Sequence, residues 1–267
     1  MEQTDTQNRS LPVWATIHEV WRLLHTDGKA MVRLVWPWLL GWFAVTISFP
    51  VWEWLTPVPF SDMAIRQFTE QGVLIGAFLV TVPVSTVLMR WAVEGAQNRI
   101  TVGARELAYV KYTVYMLFMV FAFGALAFIF VKMAIQFYYI PIVLEIVVLS
   151  YLLPRLSLSL VHAALGVVGF EFYDVWRVTR GNGWRLGGVV AVVSVPLVIL
   201  SDVLPTITLF FQIQSGAVVI LSAVINLVSD VLFMIVMPVT LGVIDRWLRE
   251  FGPKDPDELE PEACAPG

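Results

Sequence analysis

The sequence has few charged residues, a single cysteine and only three histidines. Charged residues make up 14% of the 267 residues, against about 25% in a soluble domain, which excludes an ordinary water-soluble protein. The lone Cys264 excludes an intrachain disulfide and a cysteine metal cluster. His18, His25 and His162 are too few and too far apart for a metal site. We therefore expect no metal and no other cofactor.

Motifs of soluble enzymes are missing as well. The chain contains no HExxH and no GxSxG sequence, and no glycine-rich phosphate loop followed by a lysine. Gly181-Asn182-Gly183 could be taken for part of such a loop, but it is better explained as the end of a helix. We expect a protein that is not an enzyme.

The chain does contain long apolar runs. Hydrophobic residues make up 58% of it, and the mean hydropathy is +0.77. Each of six apolar segments is close to the roughly 20 residues that a membrane-spanning helix needs. The sequence therefore predicts an all-α polytopic membrane protein whose spans lie at 31–52, 70–91, 110–131, 139–161, 184–204 and 216–245.

The predicted spans form three hairpins, at 31–91, 110–161 and 184–245, within a membrane domain of residues 11–251. Two amphipathic elbow helices, short helices lying on the membrane surface, introduce hairpins: the first elbow covers 11–27 and ends at Asp27-Gly28, and the second covers 170–183. The polar leader 1–10 and the acidic, proline-rich tail 252–267 are expected to be disordered. No signal peptide is visible at the start.

Basic residues predict the orientation. Of the 17 Lys and Arg residues, all but two lie on the side of the predicted spans that carries both termini. The two exceptions are Arg66 and Lys132. Because cytoplasmic loops are enriched in Lys and Arg, this side is predicted to be cytoplasmic. We expect a multi-pass protein of a bacterial inner membrane with both termini in the cytoplasm.

The two elbows also indicate an internal repeat. At an offset of 155 residues, Glu19-Val20-Trp21-Arg22 aligns with Asp174-Val175-Trp176-Arg177, Asp27-Gly28 with Asn182-Gly183, and Pro83-Val84 with Pro238-Val239. Identity elsewhere is low, so the hypothesis of a duplicated hairpin depends on these turn and proline positions staying in phase.

The second elbow is the most basic amphipathic stretch inside the chain. Gly181 and Asn182 accept the left-handed conformation that ends a helix, and Trp184 with Arg185 is typical of the membrane interface. Clusters of basic and aromatic residues attract anionic lipid headgroups. The predicted headgroup residues are Arg22, Lys29, Arg177, Arg180, Arg185, Trp176 and Trp184, although each arginine could serve only to set the topology.

Ionisable residues inside apolar spans are costly and call for an explanation. Glu145, Asp202 and Asp230 are predicted at a similar depth, somewhat outside the midplane, and Ser222, Asn226, Ser229 and Asp230 should share one face of the last span, directed into the bundle. They could form a cation or proton site, or they could be neutral carboxyls hydrogen-bonded between helices. Arg155 should bind carbonyls freed by Pro154 or extend to the interface, or else contact a lipid phosphate.

One stretch resembles a known family. It is similar to a pattern in uncharacterised bacterial inner-membrane proteins. The similar residues are Tyr151-Leu152-Leu153-Pro154-Arg155-Leu156-Ser157-Leu158, then Ala163-Ala164-Leu165-Gly166, and then the run from Trp176 to Arg185 (WRVTRGNGWR). That group is similar to the membrane domain fused to some bacterial glycerophosphodiester phosphodiesterases. The resemblance, which covers about 35 residues, implies six spanning helices and supplies no catalytic residue, and we expect the hydrolase activity to be absent.

Two functional hypotheses follow. The first is a non-catalytic membrane module that contacts anionic lipid, a membrane-protein partner or a second copy of itself; no nucleic acid is expected. The alternative is a small transporter or channel-like protein that uses the intramembrane carboxylates.

Overall fold

The computed structural model describes residues 11–55, 63–95, 103–133, 139–167, 172–210 and 216–251. Within these helices, the structure does not describe the side chains of residues 49–55, 63–71, 74, 119–121, 123–133, 139–150, 172, 201–210, 216–220 and 222–223. The described part is helical, without a β-strand. Its helices are α1 (Val13–Leu55), α2 (Met63–Glu94), α3 (Ala104–Met133), α4 (Tyr139–Leu165), α5 (Phe172–Val178), α6 (Gly183–Phe210) and α7 (Gly216–Phe251).

Four of the helices are long and apolar enough to cross a membrane. The stretches are Val13–Ser48, Ile75–Glu94, Gly183–Leu200 and Val224–Phe251. Helices α3 and α4 occupy two further predicted spans, but about half of their side chains lie outside the description. The fold is thus all-helical with four candidate spans, and the number six stays a prediction.

The predicted end of the first elbow at Asp27-Gly28 is wrong. Helix α1 continues through these residues for 43 residues, about 65 Å at 1.5 Å per residue. Val20 and Met31, on either side of the predicted break, are both fully buried, and Asp27 accepts a hydrogen bond from Trp91 Nε1 at 3.3 Å. This packing outweighs the roughly 1 kcal/mol that a helical glycine costs. At about 65 Å, α1 exceeds the 40–45 Å bilayer thickness, so it must tilt strongly or extend beyond the membrane.

The second elbow ends where the sequence predicts. Helix α5 stops at Val178, and Gly181 has a φ of +79°, a conformation that residues with a Cβ rarely adopt. Helix α4 ends in the same way at Gly166, with a φ of +75° and hydrogen bonds from Gly166 N to Ala163 O and from Val167 N to His162 O. Both glycines therefore turn the chain sharply at the same end of the bundle.

Helices α2, α4 and α7 form the centre of the bundle. Helices α2 and α7 each pack against four other helices and α4 against five, and α2 and α7 pack extensively against each other. A Cβ on Gly242 of α7 would lie 2.6 Å from Ala92 Cβ and 2.9 Å from the Met89 carbonyl oxygen of α2. The helices can approach this closely only because residue 242 has no side chain. Two apolar clusters flank the contact, one shared with α4 and α6 and the other with α1.

Candidate functional site

Ion pairs gather at the end of the bundle where α1, α3 and α6 begin and α2, α4 and α7 end. We call this the charged end. Arg90 of α2 lies 3.6 Å from Glu106 of α3, and both side chains are about 95% buried. The second oxygen of Glu106 accepts a hydrogen bond from Gly103 N at 2.8 Å and so caps α3. One carboxylate thus joins two helices and completes the start of one of them.

A second buried group of charges joins α4 to α7. Asp245 Oδ1 lies 3.5 Å from His162 Nδ1, and Asp245 Oδ2 accepts a hydrogen bond from Arg249 Nε at 2.7 Å. The same histidine nitrogen lies 3.0 Å from the Leu158 carbonyl oxygen. Asp245 is almost completely enclosed, so it depends on these partners for its polar contacts.

The start of the described chain is fastened to the second elbow. Leu11 N donates a hydrogen bond to Asn182 Oδ1 at 2.8 Å, and Arg185 Nη1 donates to the Leu11 carbonyl at 3.2 Å. Further along α1, Glu19 accepts a hydrogen bond from Arg246 of α7 at 2.6 Å. The two predicted elbows, which are more than 150 residues apart in sequence, therefore lie against each other at the charged end.

Arg155 does not extend to the interface; it is only 3% exposed. Its guanidinium lies over the rings of Tyr151 and Trp176, 4.3 and 4.4 Å from their centroids, and Nη2 donates to the Thr179 carbonyl at 3.4 Å. The prediction that Arg155 binds carbonyls freed by Pro154 is wrong about the acceptor, because the carbonyl that Nη2 binds lies just after α5. Arg155 therefore holds the second elbow against α4 through cation–π contacts and this hydrogen bond.

The predicted headgroup residues fall into two groups. Arg22 pairs with Glu19 at 2.7 Å and Arg177 with Asp174 at 3.5 Å, so these arginines are partly neutralised by their own helices. Lys29, Arg180 and Arg185 are exposed. Trp176 and Trp184 are 44% and 61% exposed, and the rings of Trp184 and Tyr151 are 4.9 Å apart. The second elbow thus carries exposed basic and aromatic side chains, and Lys29 is an exposed cation just after the first elbow.

The predicted intramembrane polar residues are described only in part. Glu145 lies in α4 and Asp202 in α6, but their side chains are outside the described residues. On α7, Ser229 is buried, Asn226 is half-buried and Asp230 is exposed. The expectation that this whole face is enclosed by neighbouring helices is therefore wrong for Asp230, which lies about 100° around the helix from Ser229.

Sequence reasoning missed the buried ion pairs. It treated Arg90 as a topology signal and His162 as an isolated histidine, and it assigned no role to Glu106 or Asp245. One signal was available: the 155-residue offset places Arg90 on Asp245, and both of these buried side chains form ion pairs.

Within the described ranges, no three His, Cys, Asp or Glu side chains come together as metal ligands. No protein-family model, curated protein or solved structure matches the chain.

Proposed function

We propose that this protein is a non-catalytic module of a bacterial inner membrane that contacts anionic lipid through its two elbows. In this proposal six helices span the membrane and both termini are cytoplasmic, so the charged end faces the cytoplasmic leaflet. The resemblance of residues 151–185 to the membrane domain fused to some glycerophosphodiester phosphodiesterases is consistent with this architecture.

The observation that supports lipid contact most directly is the exposed pair Trp176 and Trp184 beside Arg180 and Arg185. Exposed tryptophans are typical of the interface between headgroups and acyl chains. Basic residues next to them attract anionic headgroups, each contributing about 1 kcal/mol near the surface. Lys29, two residues beyond the first elbow, adds a further exposed cation.

The test compares two double variants that remove the same charge from opposite ends. Lys29→Gln with Arg180→Gln neutralises two exposed cations in or next to the elbows, whereas Arg66→Gln with Lys132→Gln neutralises the two basic residues predicted on the other side. Arg185 is left intact because it also binds the Leu11 carbonyl. Two cations at about 1 kcal/mol each correspond to roughly 30-fold weaker binding of anionic lipid.

The measurement is competition between phosphatidylglycerol and phosphatidylcholine for the purified protein, read by native mass spectrometry. We expect the elbow variant to lose its preference for phosphatidylglycerol and the control to keep it. Equal losses in both variants would mean that only net charge matters, and unchanged binding in both would contradict lipid contact by the elbows.

The alternative function, a small transporter or channel-like protein, is favoured by one observation. Asp230 is exposed, although it lies within a candidate span. An accessible carboxylate inside a membrane is typical of an ion or proton pathway.

A further inference from the structure

An exposed ridge of side chains runs along one side of α1. Successive members are three or four residues apart, which keeps them on the same side of a helix. The half of the ridge at the charged end consists of Trp14, His18, Trp21, His25 and Lys29, and all five side chains are exposed. We call this half the histidine ridge. It alternates tryptophan with histidine and ends at a lysine.

The continuation of the ridge is apolar. It runs from Val32 through Trp36 and Phe43 to Ile47, all exposed, over about 22 Å of helix inside a candidate span. Exposed apolar side chains on a spanning helix face acyl chains. Because α1 continues without a break from Lys29 to Val32, the histidine ridge is directed outwards from the bundle on the same side as these lipid-facing residues.

The first part of α1 runs across the charged end. Three of its contacts reach the ends of three different helices: Leu11 with Arg185 of α6, Glu19 with Arg246 of α7, and Asp27 with Trp91 of α2. Helix α7 packs against both α2 and α6, and packed helices are 8–10 Å apart, so passing from α6 over α7 to α2 requires about 20 Å. The segment from Leu11 to Asp27 is about 24 Å long. It therefore uses most of its length sideways and stays near the level of the helix ends.

The composition of the histidine ridge suits the headgroup layer. Trp14 is 74% exposed and Trp21 is 55% exposed, and tryptophan is enriched where headgroups meet acyl chains. Lys29 supplies a permanent positive charge. Histidine is the side chain whose charge ordinarily changes between pH 5 and 8, so the charge of this surface depends on His18 and His25.

On α1 itself, the charged neighbours of the histidines are Arg22 and Lys29. Arg22 lies one helical turn from both His18 and His25, and its charge is balanced by Glu19 at 2.7 Å. Lys29 lies one turn beyond His25. Within the described part of the chain, neither histidine forms a hydrogen bond or an ion pair. A proton gained by either histidine therefore adds a positive charge that no side chain described here neutralises.

The helices packed against α1 present their charges on its other side. Arg246 of α7 binds the half-buried Glu19, and Arg185 of α6 binds the Leu11 carbonyl. On α2 the last residue, Glu94, is exposed. Arginines and carboxylates keep their ordinary charge over the pH range in which histidine titrates, so the two histidines dominate the change of charge on this surface.

We propose that the histidine ridge lies along the headgroup layer of the cytoplasmic leaflet and that protonation of His18 and His25 strengthens its contact with anionic lipid. The inference rests on the proposed function, lipid contact by the elbows, and adds that the contact at the first elbow is stronger in acid. The phosphodiester of phosphatidylglycerol stays negative over this pH range, so the change comes from the protein. When the histidines are neutral, the two tryptophans still hold the helix at the interface.

The experiment repeats the competition between phosphatidylglycerol and phosphatidylcholine at pH 7.5 and pH 5.5, with melting temperatures measured alongside. We expect the preference of the wild-type protein for phosphatidylglycerol to be roughly tenfold stronger at pH 5.5, because two positive charges are gained near the headgroups. His18→Gln with His25→Gln should lose this response, since glutamine stays neutral. His18→Lys with His25→Lys should show the stronger preference at both pH values. His162, which is buried, is kept in every variant, so a response caused by His162 would persist in all of them.

Three results would overturn the proposal. One is a wild-type preference that is equal at both pH values, and another is a pH response that survives His18→Gln with His25→Gln. The third is a double lysine variant with no added preference at pH 7.5. Failure of the proposed function is a separate result, because it is read at pH 7.5 from Lys29→Gln with Arg180→Gln. That variant keeps both histidines and should still respond to pH.

Discussion

The two halves of the bundle differ in how their polar groups are satisfied. At the charged end, Arg90 of α2 pairs with Glu106 of α3, and Asp245 of α7 lies 3.5 Å from His162 of α4 and pairs with Arg249 of its own helix. In the other half, Asn226 Oδ1 and Ser229 Oγ are buried without a hydrogen-bond partner, as are Arg90 Nη2, Arg155 Nε and Asp245 Oδ1 at the charged end. Among the described residues, the difference between the halves therefore lies in the ion pairs, which are found at the charged end.

Packing follows the same division. Near the charged end α2 and α7 touch at Gly242, and the core rows of α2, α6 and α7 are buried. Beyond Val82 and Val193 these rows become exposed. Since dispersion contacts require close packing, the charged end should account for most of the stability of the described bundle, and variants that break it should cost more than variants in the other half.

The largest loss is expected from breaking the buried pair between α2 and α3. Arg90→Met leaves Glu106 enclosed without its cation, which should destabilise the fold by about 3–5 kcal/mol. Equilibrium unfolding in detergent micelles measures the change, and Arg33→Gln, at an exposed arginine of α1, is the control. Arg90→Met combined with Glu106→Gln should recover part of the loss. If Arg90→Met costs no more than the control, the pair does not hold these helices together.

A smaller change in the free energy of unfolding is expected at two glycines, one in each half of the bundle. Gly242→Val should cost about 1–3 kcal/mol because its side chain would force α2 and α7 apart. Gly72→Ala, in the other half, meets no atom within 4 Å and should stabilise α2 by up to about 1 kcal/mol through helix propensity. The same unfolding measurement compares them. Equal losses at both positions would contradict the difference in packing between the halves.

The sequence predicted the parts of the fold that depend on local signals. Apolar runs of about 20 residues located the helices, and Gly181 ended α5 because a positive φ is needed there. The exposure of Trp176 and Trp184 also followed from local pattern. These features need no knowledge of which helices are neighbours.

Features that depend on neighbours were not predicted. Asp27-Gly28 has the composition of a helix end, but Trp91 of α2 binds Asp27 and the helix continues. Arg90 and Asp245 look like ordinary charges at the ends of spans, and only the packing of α2 on α3 and of α7 on α4 gives each a buried partner. A single sequence does not specify these pairings, since an exposed and a buried charge at a span end have the same local pattern.

The smallest of these effects concerns the contact between the elbows. Asn182→Ala removes the acceptor of the buried Leu11 N–H, and an unsatisfied buried donor costs about 1–3 kcal/mol. Because the segment before α1 can detach without unfolding the bundle, we expect global stability to fall by only about 1 kcal/mol. Hydrogen exchange should instead quicken markedly at Leu11 and in the first turn of α1.

Ser48→Ala, which removes a local hydrogen bond to the Val45 carbonyl at the other end of α1, is the control and should leave exchange at Leu11 unchanged. Exchange at Leu11 that is equally slow in Asn182→Ala and the wild type would show that apolar packing of the fully buried Leu11 side chain is sufficient to hold the two elbows together.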